Sequence, residues 1–314
     1  MSGRGTVIGL LGPTGVGKTA AAAELARMLG TVVISCDSMQ VYRGFPVLTN
    51  QPSAEERGRA PHELIECVDP LATLSAAEYA AMARPLVERE LTEVGWAVLA
   101  GGSGLYMRAT LAPLAVAAPS DPTVRNRLEQ RAAAEGASTL HAELARLDPS
   151  AARAIDPRNV RRVIRALEAV QSTGEPWSGR DDLWNPVYEH PTLVVGLTLD
   201  RLELYRRIDV RAVRIVVGGA TREVRRFRVE RGVEVTRPGG DGIRSAIGYP
   251  EICGFLTGEQ SREQTLERVA GATRRYARRQ LTWLRMLEGA VMIDVGGRDA
   301  LGVAREIAGR AAEF

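Results

Sequence analysis

The chain has 314 residues, of which 45% are hydrophobic and 25% charged, with a formal net charge of +3 at pH 7. These values fit a globular protein with a real core, and no apolar run approaches the ~18–20 residues of a membrane-spanning helix. Three widely spaced cysteines exclude a disulfide framework or a zinc site. With no room for a signal peptide before the first apolar run, we expect a cytoplasmic protein.

The first predicted elements flank a glycine-rich loop. An apolar run over residues 6–11 predicts a buried strand, and residues 19–29 predict a helix that ends at Gly30. Strand, glycine-rich loop and helix in this order are typical of a phosphate-binding P-loop, since the anion sits on the helix N-terminus. The predicted diphosphate- or nucleotide-binding residues are Gly12, Pro13, Thr14, Gly15, Val16, Gly17, Lys18 and Thr19.

Lys18 is the only lysine in a chain with forty arginines. A sequence that uses arginine at every other basic position has kept lysine where a compact ammonium is needed. In a P-loop, the lysine contacts the terminal phosphates and the following hydroxyl, here that of Thr19, binds Mg²⁺. The composition therefore supports the motif.

Alternating strands and helices continue over the first hundred residues. Residues 32–36 predict a second strand that ends at Asp37, a capping box opens a helix at residues 75–78, and residues 96–100 predict a third strand before Gly101-Gly102-Ser103. This alternation predicts an α/β fold, a P-loop NTPase-like parallel sheet flanked by helices. Ligands bind at the carboxyl ends of such strands, where the P-loop, Asp37 and Ser103 all lie.

The segment Asp37-Ser38-Met39-Gln40 follows the second strand. A carboxylate there either helps to position Mg²⁺ or accepts a hydrogen bond from a substrate. Ser38 and Gln40 add groups suited to reading the edge of a base. The competing interpretation is that Asp37 only caps the next turn.

Three prolines between residues 112 and 122 interrupt the alternation, and residues 121–173 then predict helices only. A strand is predicted at residues 192–199, followed by helices at 201–217, 220–232 and 261–288. The predicted organisation is a core of residues 1–115 and 190–314 with an all-helical insertion domain at residues 116–189.

The positive charge is concentrated in the second half of the chain. Residues 1–150 carry 13 basic and 16 acidic side chains, whereas residues 151–314 carry 28 and 22. This asymmetry favours a polyanionic partner larger than a nucleotide, and the alternative is a set of solvated helix faces. The clusters are Arg161, Arg162 and Arg165; Arg222, Arg225, Arg226 and Arg228; and Arg274, Arg275, Arg278 and Arg279.

Six blocks, in this order along nearly the whole chain, resemble those of the bacterial tRNA dimethylallyltransferases, also called tRNA isopentenyltransferases. The blocks lie at residues 12–19, 37–42 (Asp-Ser-Met-Gln-Val-Tyr), 101–106 (Gly-Gly-Ser-Gly-Leu-Tyr), 162–168 (Arg-Val-Ile-Arg-Ala-Leu-Glu), 246–249 (Ala-Ile-Gly-Tyr) and 273–283. A P-loop alone occurs in many enzymes, but this set of blocks is specific.

The resemblance implies transfer of a dimethylallyl group from dimethylallyl diphosphate to the exocyclic amine of the adenosine 3′ to the tRNA anticodon. It implies Mg²⁺ on Thr19, Asp37 as general base or orienter of the amine, Ser103 in place of the family's threonine near the reacting carbon, and Arg125 and Arg207 at the diphosphate. The residues that it assigns to tRNA binding are Asp37, Ser38, Met39, Gln40, Arg161, Arg162, Arg165, Gly248 and Tyr249. We expect a monomer with no membrane association.

The sequence departs from the family pattern at residues 48–51, Glu63, Asn159 and Ser245, which bears on specificity more than on chemistry. Two other functions share the P-loop. A small-metabolite kinase would use Lys18, Thr19 and Mg²⁺ but leaves the basic second half unexplained. An adenylate isopentenyltransferase would prenylate a free nucleotide, and the helical insertion and its arginines favour tRNA instead.

Overall fold

A computed structural model describes residues 5–112, 121–178, 187–232, 242–287 and 289–314 of the chain. The chain divides into two compact units. The first unit combines Met1–Ala112 with Tyr188–Phe314, and the second unit is Pro113–Val187. Within the described ranges, no helix is both long enough and apolar enough to cross a membrane. The predicted proline-rich break lies largely outside the described residues.

The first unit contains a six-stranded sheet in which every neighbouring pair runs parallel. This confirms the predicted α/β fold with a parallel, P-loop-type sheet, and adds two edge strands, β3 and β6, that were not predicted. The strand order is β3-β2-β4-β1-β5-β6. The strands are β1 (Thr6–Leu11), β2 (Val33–Ser35), β3 (His62–Glu63), β4 (Trp96–Ala100), β5 (Thr192–Thr198) and β6 (Val291–Asp294).

Thirteen α-helices lie in the described part of the chain, four of them, α5–α8, in the second unit. A 3-10 helix spans Gly242–Ser245. The helices are α1 (Lys18–Leu29), α2 (Ala54–Arg59), α3 (Ala76–Glu93), α4 (Gly104–Leu111), α5 (Pro122–Glu135), α6 (Ala137–Leu147), α7 (Pro149–Ala154), α8 (Val160–Thr173), α9 (Arg201–Gly218), α10 (Ala220–Arg231), α11 (Tyr249–Leu256), α12 (Arg262–Arg285) and α13 (Ala300–Ala312).

The four inner strands, β2, β4, β1 and β5, are mostly apolar and buried because both faces of the sheet are covered there. Side chains alternate along a strand, so Ile8 and Leu10 join the core that contains α1 and α13, whereas Val7 and Leu11 join the core that contains α3 and α4. All four residues are 0–5% exposed. The two cores fix the strand ends, and therefore the loops that follow them, in register.

The helix boundaries follow from local capping. At the start of α3, the Ser75 side chain accepts a hydrogen bond from the Glu78 N–H, and the Glu78 carboxylate accepts one from the Ser75 N–H, which is the predicted capping box. Gly30 ends α1 in the left-handed conformation, with φ of 71°.

In the second unit, the described residues form helices and loops only. Asp121 caps α5 by accepting from the Thr123 and Val124 N–H groups, and Gly174 ends α8 in the left-handed conformation. Helices α5–α8 share a small leucine-rich core in which Leu128, Leu140, Leu144, Val163 and Leu167 are fully buried.

Candidate active site

The loop between β1 and α1 has the backbone of an anion-binding cradle. Gly12, Gly15 and Gly17 all have positive φ, at 157°, 88° and 105°. At Gly12 a side chain is also excluded by space, since a Cβ there would lie 2.7 Å from the Leu197 carbonyl oxygen. Gly17 is the N-cap of α1 and supplies no side-chain cap. The first N–H groups of α1 are therefore left for an anionic ligand.

Lys18 lies folded against this loop. Its Nζ donates hydrogen bonds to the carbonyl oxygens of Gly12 and Pro13, both at 2.9 Å. Burial lowers the pKa of Lys18 to about 8; the Asp37 carboxylate opposes this shift and the Arg211 guanidinium adds to it. Burial thus outweighs the negative charge beside the ammonium, and an anionic ligand would restore the balance.

Arg211 on α9 is a cation of this site that the sequence analysis missed. Its Nη1 donates to the Thr14 hydroxyl at 2.6 Å, and its buried Nε has no hydrogen-bond partner among the described residues. Burial lowers the pKa of Arg211, against the Asp37 charge, which raises it. A signal was present in the sequence, because Arg207, Arg211 and Arg214 are spaced to share one helix face.

Asp37 both caps a turn and faces the P-loop. Its Oδ1 accepts hydrogen bonds from the N–H groups of Met39 at 2.9 Å and Gln40 at 3.4 Å. Its charge also acts on Lys18 and Arg211, and Asp37 lines the same pocket as both. The two interpretations of Asp37 are therefore compatible, since one oxygen serves the turn and the carboxylate still borders the pocket.

The turn after Asp37 is held by Gln40. The Gln40 Oε1 accepts from the Ser35 hydroxyl at 3.0 Å, and its Nε2 donates to the Asn50 carbonyl oxygen at 2.8 Å. Asn50 has a positive φ of 51°, which asparagine tolerates better than most residues. Ser38 and Met39 are partly exposed beside Gln40. The Gln40 amide is thus fixed in one orientation at the pocket wall.

Ser103 is the N-cap of α4 and lies directly after β4. The Ser103 Oγ accepts a hydrogen bond from the Tyr106 N–H at 3.4 Å. The Ser103 N–H donates to the carbonyl oxygen of Cys36, the residue before Asp37, at 3.2 Å. The loop after β4 can pass this close to Cys36 only because residue 101 is glycine, since a Cβ there would lie 2.0 Å from the Cys36 carbonyl oxygen. Ser103 is held at the carboxyl edge of the sheet, but it is not among the residues that line the pocket.

Arg207 both forms an ion pair on α9 and lines the pocket. Its Nε donates to the Glu203 carboxylate at 2.9 Å, and its side chain also lines the pocket. Hydrogen bonds from Arg206 and then Arg207 lower the pKa of Glu203 to about 2. Arg207 therefore brings less uncompensated charge to the pocket than Arg211.

Apart from Ser103, these groups share one pocket of about 340 Å³ at the carboxyl edge of the sheet. Its walls come from the P-loop and α1, from β2 and the end of β4, from residues 50–56, from His62 on β3, from one face of α9 and from Gln280 on α12. Its polar and charged lining includes Thr14, Lys18, Thr19, Asp37, Gln40, Arg207, Arg211, Arg214 and Gln280.

In the second unit, Arg125 pairs with Glu168, whose side chain is fully buried. The Arg125 Nη2 lies 2.9 Å from the Glu168 Oε2, and Arg165 contacts the same oxygen at 3.0 Å. Burial acts to raise the pKa of Glu168, but the hydrogen bonds from these two arginines outweigh it and lower that pKa. Arg161 and Arg162 are exposed on α8.

Gly248 and Tyr249 lie at the start of α11, and the Tyr249 side chain points into the core. Its ring packs edge-on against Phe45 and Phe227 and is 6% exposed. Burial raises the pKa of the Tyr249 phenol to about 12. Its assignment to tRNA binding stays a prediction, one that would have to involve the backbone or neighbouring side chains.

Comparisons with known proteins identify the family of this chain. The family model described as IPP transferase matches residues 40–287. A protein of Thermomicrobium roseum named tRNA dimethylallyltransferase is 43% identical over 296 residues, 94% of this chain and 88% of that protein. The chain belongs to the IPP transferase family.

Solved IPP transferase structures share the fold. A tRNA isopentenylpyrophosphate transferase of Bacillus halodurans is 34% identical, with a TM-score of 0.69 over 99% of this chain and 97% of that one. A eukaryotic dimethylallyltransferase described as acting on tRNA has a TM-score of 0.80 over 98% of this chain and 77% of its own, at 24% identity.

The departures from the IPP transferase pattern keep local structural roles. The Asn159 side chain caps α8 by accepting from the Arg162 N–H at 3.3 Å. Ser245 donates to the Gly242 carbonyl oxygen within the 3-10 helix, and Glu63 on β3 pairs with Arg89 at 3.2 Å.

Proposed function

We propose that this protein transfers a dimethylallyl group from dimethylallyl diphosphate to the exocyclic amine of the adenosine 3′ to the anticodon in tRNA, releasing diphosphate. Support comes from the family membership together with one observation, the presence of Lys18, Arg211 and Asp37 in a single pocket. Two cations there suit a leaving diphosphate, and the carboxylate suits an amine that loses a proton.

The P-loop would bind the diphosphate as a leaving group. In the transfer, the amine nitrogen forms a bond to the first carbon of the dimethylallyl group while the bond from that carbon to the diphosphate oxygen breaks, and the electron pair leaves with the diphosphate. Lys18 and Arg211 would stabilise the charge that develops on that oxygen, an effect that is strong in a pocket shielded from water.

Asp37 would accept the proton that the amine loses. An aromatic amine is a weak nucleophile, so orientation by Asp37 matters as much as proton removal. Gln40 would help to position the acceptor nucleoside, and Ser103 is proposed to act near the diphosphate and the reacting carbon.

Mg²⁺ fits the donors of this pocket. The Thr19 hydroxyl and the Asp37 carboxylate both line it, and Mg²⁺ commonly uses one or two protein oxygens together with phosphate oxygens and water. No cluster of three or more His, Cys, Asp or Glu side chains suited to a metal occurs among the described residues. When bound, the ion would neutralise charge on the leaving diphosphate.

On the RNA side, we propose that the adenosine leaves the anticodon-loop stack to reach Asp37, because a stacked base is inaccessible to a pocket at a sheet edge. Arg161 and Arg162, both exposed, would contact the RNA backbone, together with Arg165. Arg125 is proposed to act at the diphosphate, although its guanidinium is already paired with Glu168.

Radiolabelled dimethylallyl diphosphate with Mg²⁺ and unmodified tRNA tests the proposal, with AMP as a parallel acceptor. We expect label in tRNA, and none in a tRNA whose adenosine beside the anticodon is replaced by guanosine. Label in AMP alone would indicate a free-nucleotide isopentenyltransferase. Phosphoryl transfer from ATP to a small metabolite, with no label in either acceptor, would indicate a kinase.

A further inference from the structure

Gln280 on α12 connects the P-loop to the loop that follows β4. Its Oε1 accepts a hydrogen bond from the Thr14 N–H at 2.8 Å, and its Nε2 donates to the Gly102 carbonyl oxygen at 2.9 Å. The residue is 6% exposed and borders the pocket. One buried amide therefore satisfies a donor in the diphosphate loop and an acceptor beside Ser103, and it does both without carrying a charge.

The Gln280 amide lies so close to Gly102 that a side chain at this position would displace it. A Cβ at position 102 would lie 2.0 Å from the Gln280 Nε2, and no positive φ occurs there to explain the glycine otherwise. The atom in the way is the end of a flexible side chain. An added methyl group would therefore displace the Gln280 amide rather than the backbone.

Thr14 is held from two sides. Its backbone N–H bonds to Gln280 on α12, and its hydroxyl accepts from Arg211 on α9. Tyr276, one turn before Gln280, also hydrogen-bonds to the Gln280 side chain. The amide is thus part of a network that joins two helices to the P-loop.

We infer that Gln280 is a positioning residue that fixes the P-loop relative to the loop carrying Ser103, and so holds the diphosphate in line with the acceptor amine. This inference rests on the proposed function. Gln280 itself touches neither reacting atom, but a small displacement of the reacting groups costs a large part of the rate.

The first test replaces Gln280 with glutamate. A glutamate keeps the acceptor for the Thr14 N–H, but its second carboxylate oxygen faces the Gly102 carbonyl oxygen, and two acceptors cannot bond to each other. The kcat of this variant should therefore fall by about 10-fold to 100-fold near pH 8.5, and its KM for tRNA should change less. The matched control is Gln264→Glu in the first turn of the same helix. Gln264 occupies the capping-box position that glutamate also fills, so its kcat should stay unchanged.

The pH profile separates positioning from general damage. Once protonated, the carboxyl group that Gln280→Glu introduces can donate to the Gly102 oxygen. The ratio of the kcat of this variant to that of wild type should therefore rise at least about threefold between pH 8.5 and about 5.5. Dividing by the wild-type rate removes the titrations that both proteins share. Tyr276 contacts this side chain. The charged or titratable groups that line the pocket with Gln280 are Lys18, Asp37, Glu56, His62, Arg206, Arg207, Arg211 and Arg214.

A double-mutant cycle provides a second test. Gly102→Ala and Gln280→Ala should each lower kcat, and the double variant should be no slower than Gln280→Ala, because the methyl group then occupies vacated space. Additive losses together with a pH-independent ratio would overturn the inference.

The outcomes also distinguish this inference from the proposed function. If wild type transfers no label to tRNA or AMP, the proposed function fails. Inorganic pyrophosphate binding, measured by calorimetry, then tests Gln280 independently: Gln280→Ala should weaken it severalfold and Gln264→Glu should not. If wild type is active and all Gln280 and Gly102 variants match it, the inference alone fails.

Discussion

At the scale of single residues, three charged groups of the pocket, those of Lys18, Arg211 and Asp37, act on one another. Arg211 lowers the pKa of Lys18, and Asp37 raises the pKa of both cations. Burial has the largest effect on the pKa of each cation and lowers it, because a charged group loses hydration when it is enclosed. A bound polyanion would therefore stabilise the charged forms of Lys18 and Arg211, and this leads to two predictions.

Replacing Asp37 with asparagine should lower kcat by about 10²-fold to 10⁴-fold, the usual value of a positioned acid–base group, with little effect on tRNA affinity. Asparagine keeps the oxygen that accepts from Met39 and Gln40, so the turn is preserved and only the base is lost. Asp299→Asn, which retains the cap of α13, is the control. Single-turnover rates near those of wild type would remove Asp37 from the mechanism.

Lys18 should titrate near pH 8 in the free protein. Because its pKa is lowered, the ammonium is present below this pH and lost above it, so pyrophosphate affinity should fall by up to about tenfold per pH unit as the pH rises past 8. The sole lysine gives one ¹³Cε signal, which NMR can follow directly. A midpoint near 10.5, or an affinity that stays level to pH 9.5, would contradict this.

At the scale of secondary structure, each helix delivers a set of side chains by its period. Helix α9 places Arg207, Arg211 and Arg214 along one pocket wall. Helix α8 exposes Arg161 and Arg162 while it buries Glu168, which lies one turn after Arg165. The exposed arginines remain available to a partner, whereas the buried carboxylate organises the helices.

Glu168→Gln should destabilise the helical unit by about 2–3 kcal/mol. Breaking a fully buried ion pair costs ~3–5 kcal/mol, and the partial exposure of Arg125 reduces that figure. The matched control, Glu135→Gln, breaks an exposed pair with Arg131 in the same unit and should cost less than about 1 kcal/mol. Calorimetric unfolding of the full chain measures both, and equal losses would show that Glu168 is not a structural anchor.

At the scale of the whole molecule, the net charge of +3 is unevenly divided along the chain. A surplus of arginine in the second half is suited to a large polyanion, and under the proposed function that polyanion is tRNA. Binding of this kind releases counterions and depends steeply on salt.

Arg161→Ala with Arg162→Ala should weaken tRNA binding and reduce the slope of log affinity against log salt by about 1–2, the loss of one or two phosphate contacts. Filter binding at several salt concentrations measures the slope. Arg310→Ala, which removes an exposed arginine of α13 paired with Glu306, is the control. Equal slopes for the two variants would exclude Arg161 and Arg162 from the RNA interface.

The sequence by itself determined the parallel sheet, the P-loop and the positions of Asp37 and Ser103 after their strands. Those features are local: apolar runs, glycines and capping boxes specify them within a few residues. Edge strands β3 and β6 were missed because two to four partly exposed residues give no clear periodicity.

Only the tertiary structure decided which distant residues complete the pocket. Gln280 lies 266 residues from Thr14, and Arg211 lies 197 residues from it, so no local pattern links them. The tertiary structure also places the Tyr249 side chain in the core and pairs Arg125 with the buried carboxylate of Glu168. Hydrogen bonds and ion pairs between elements depend on how helices pack on the sheet, and a single sequence specifies that packing only through the whole fold.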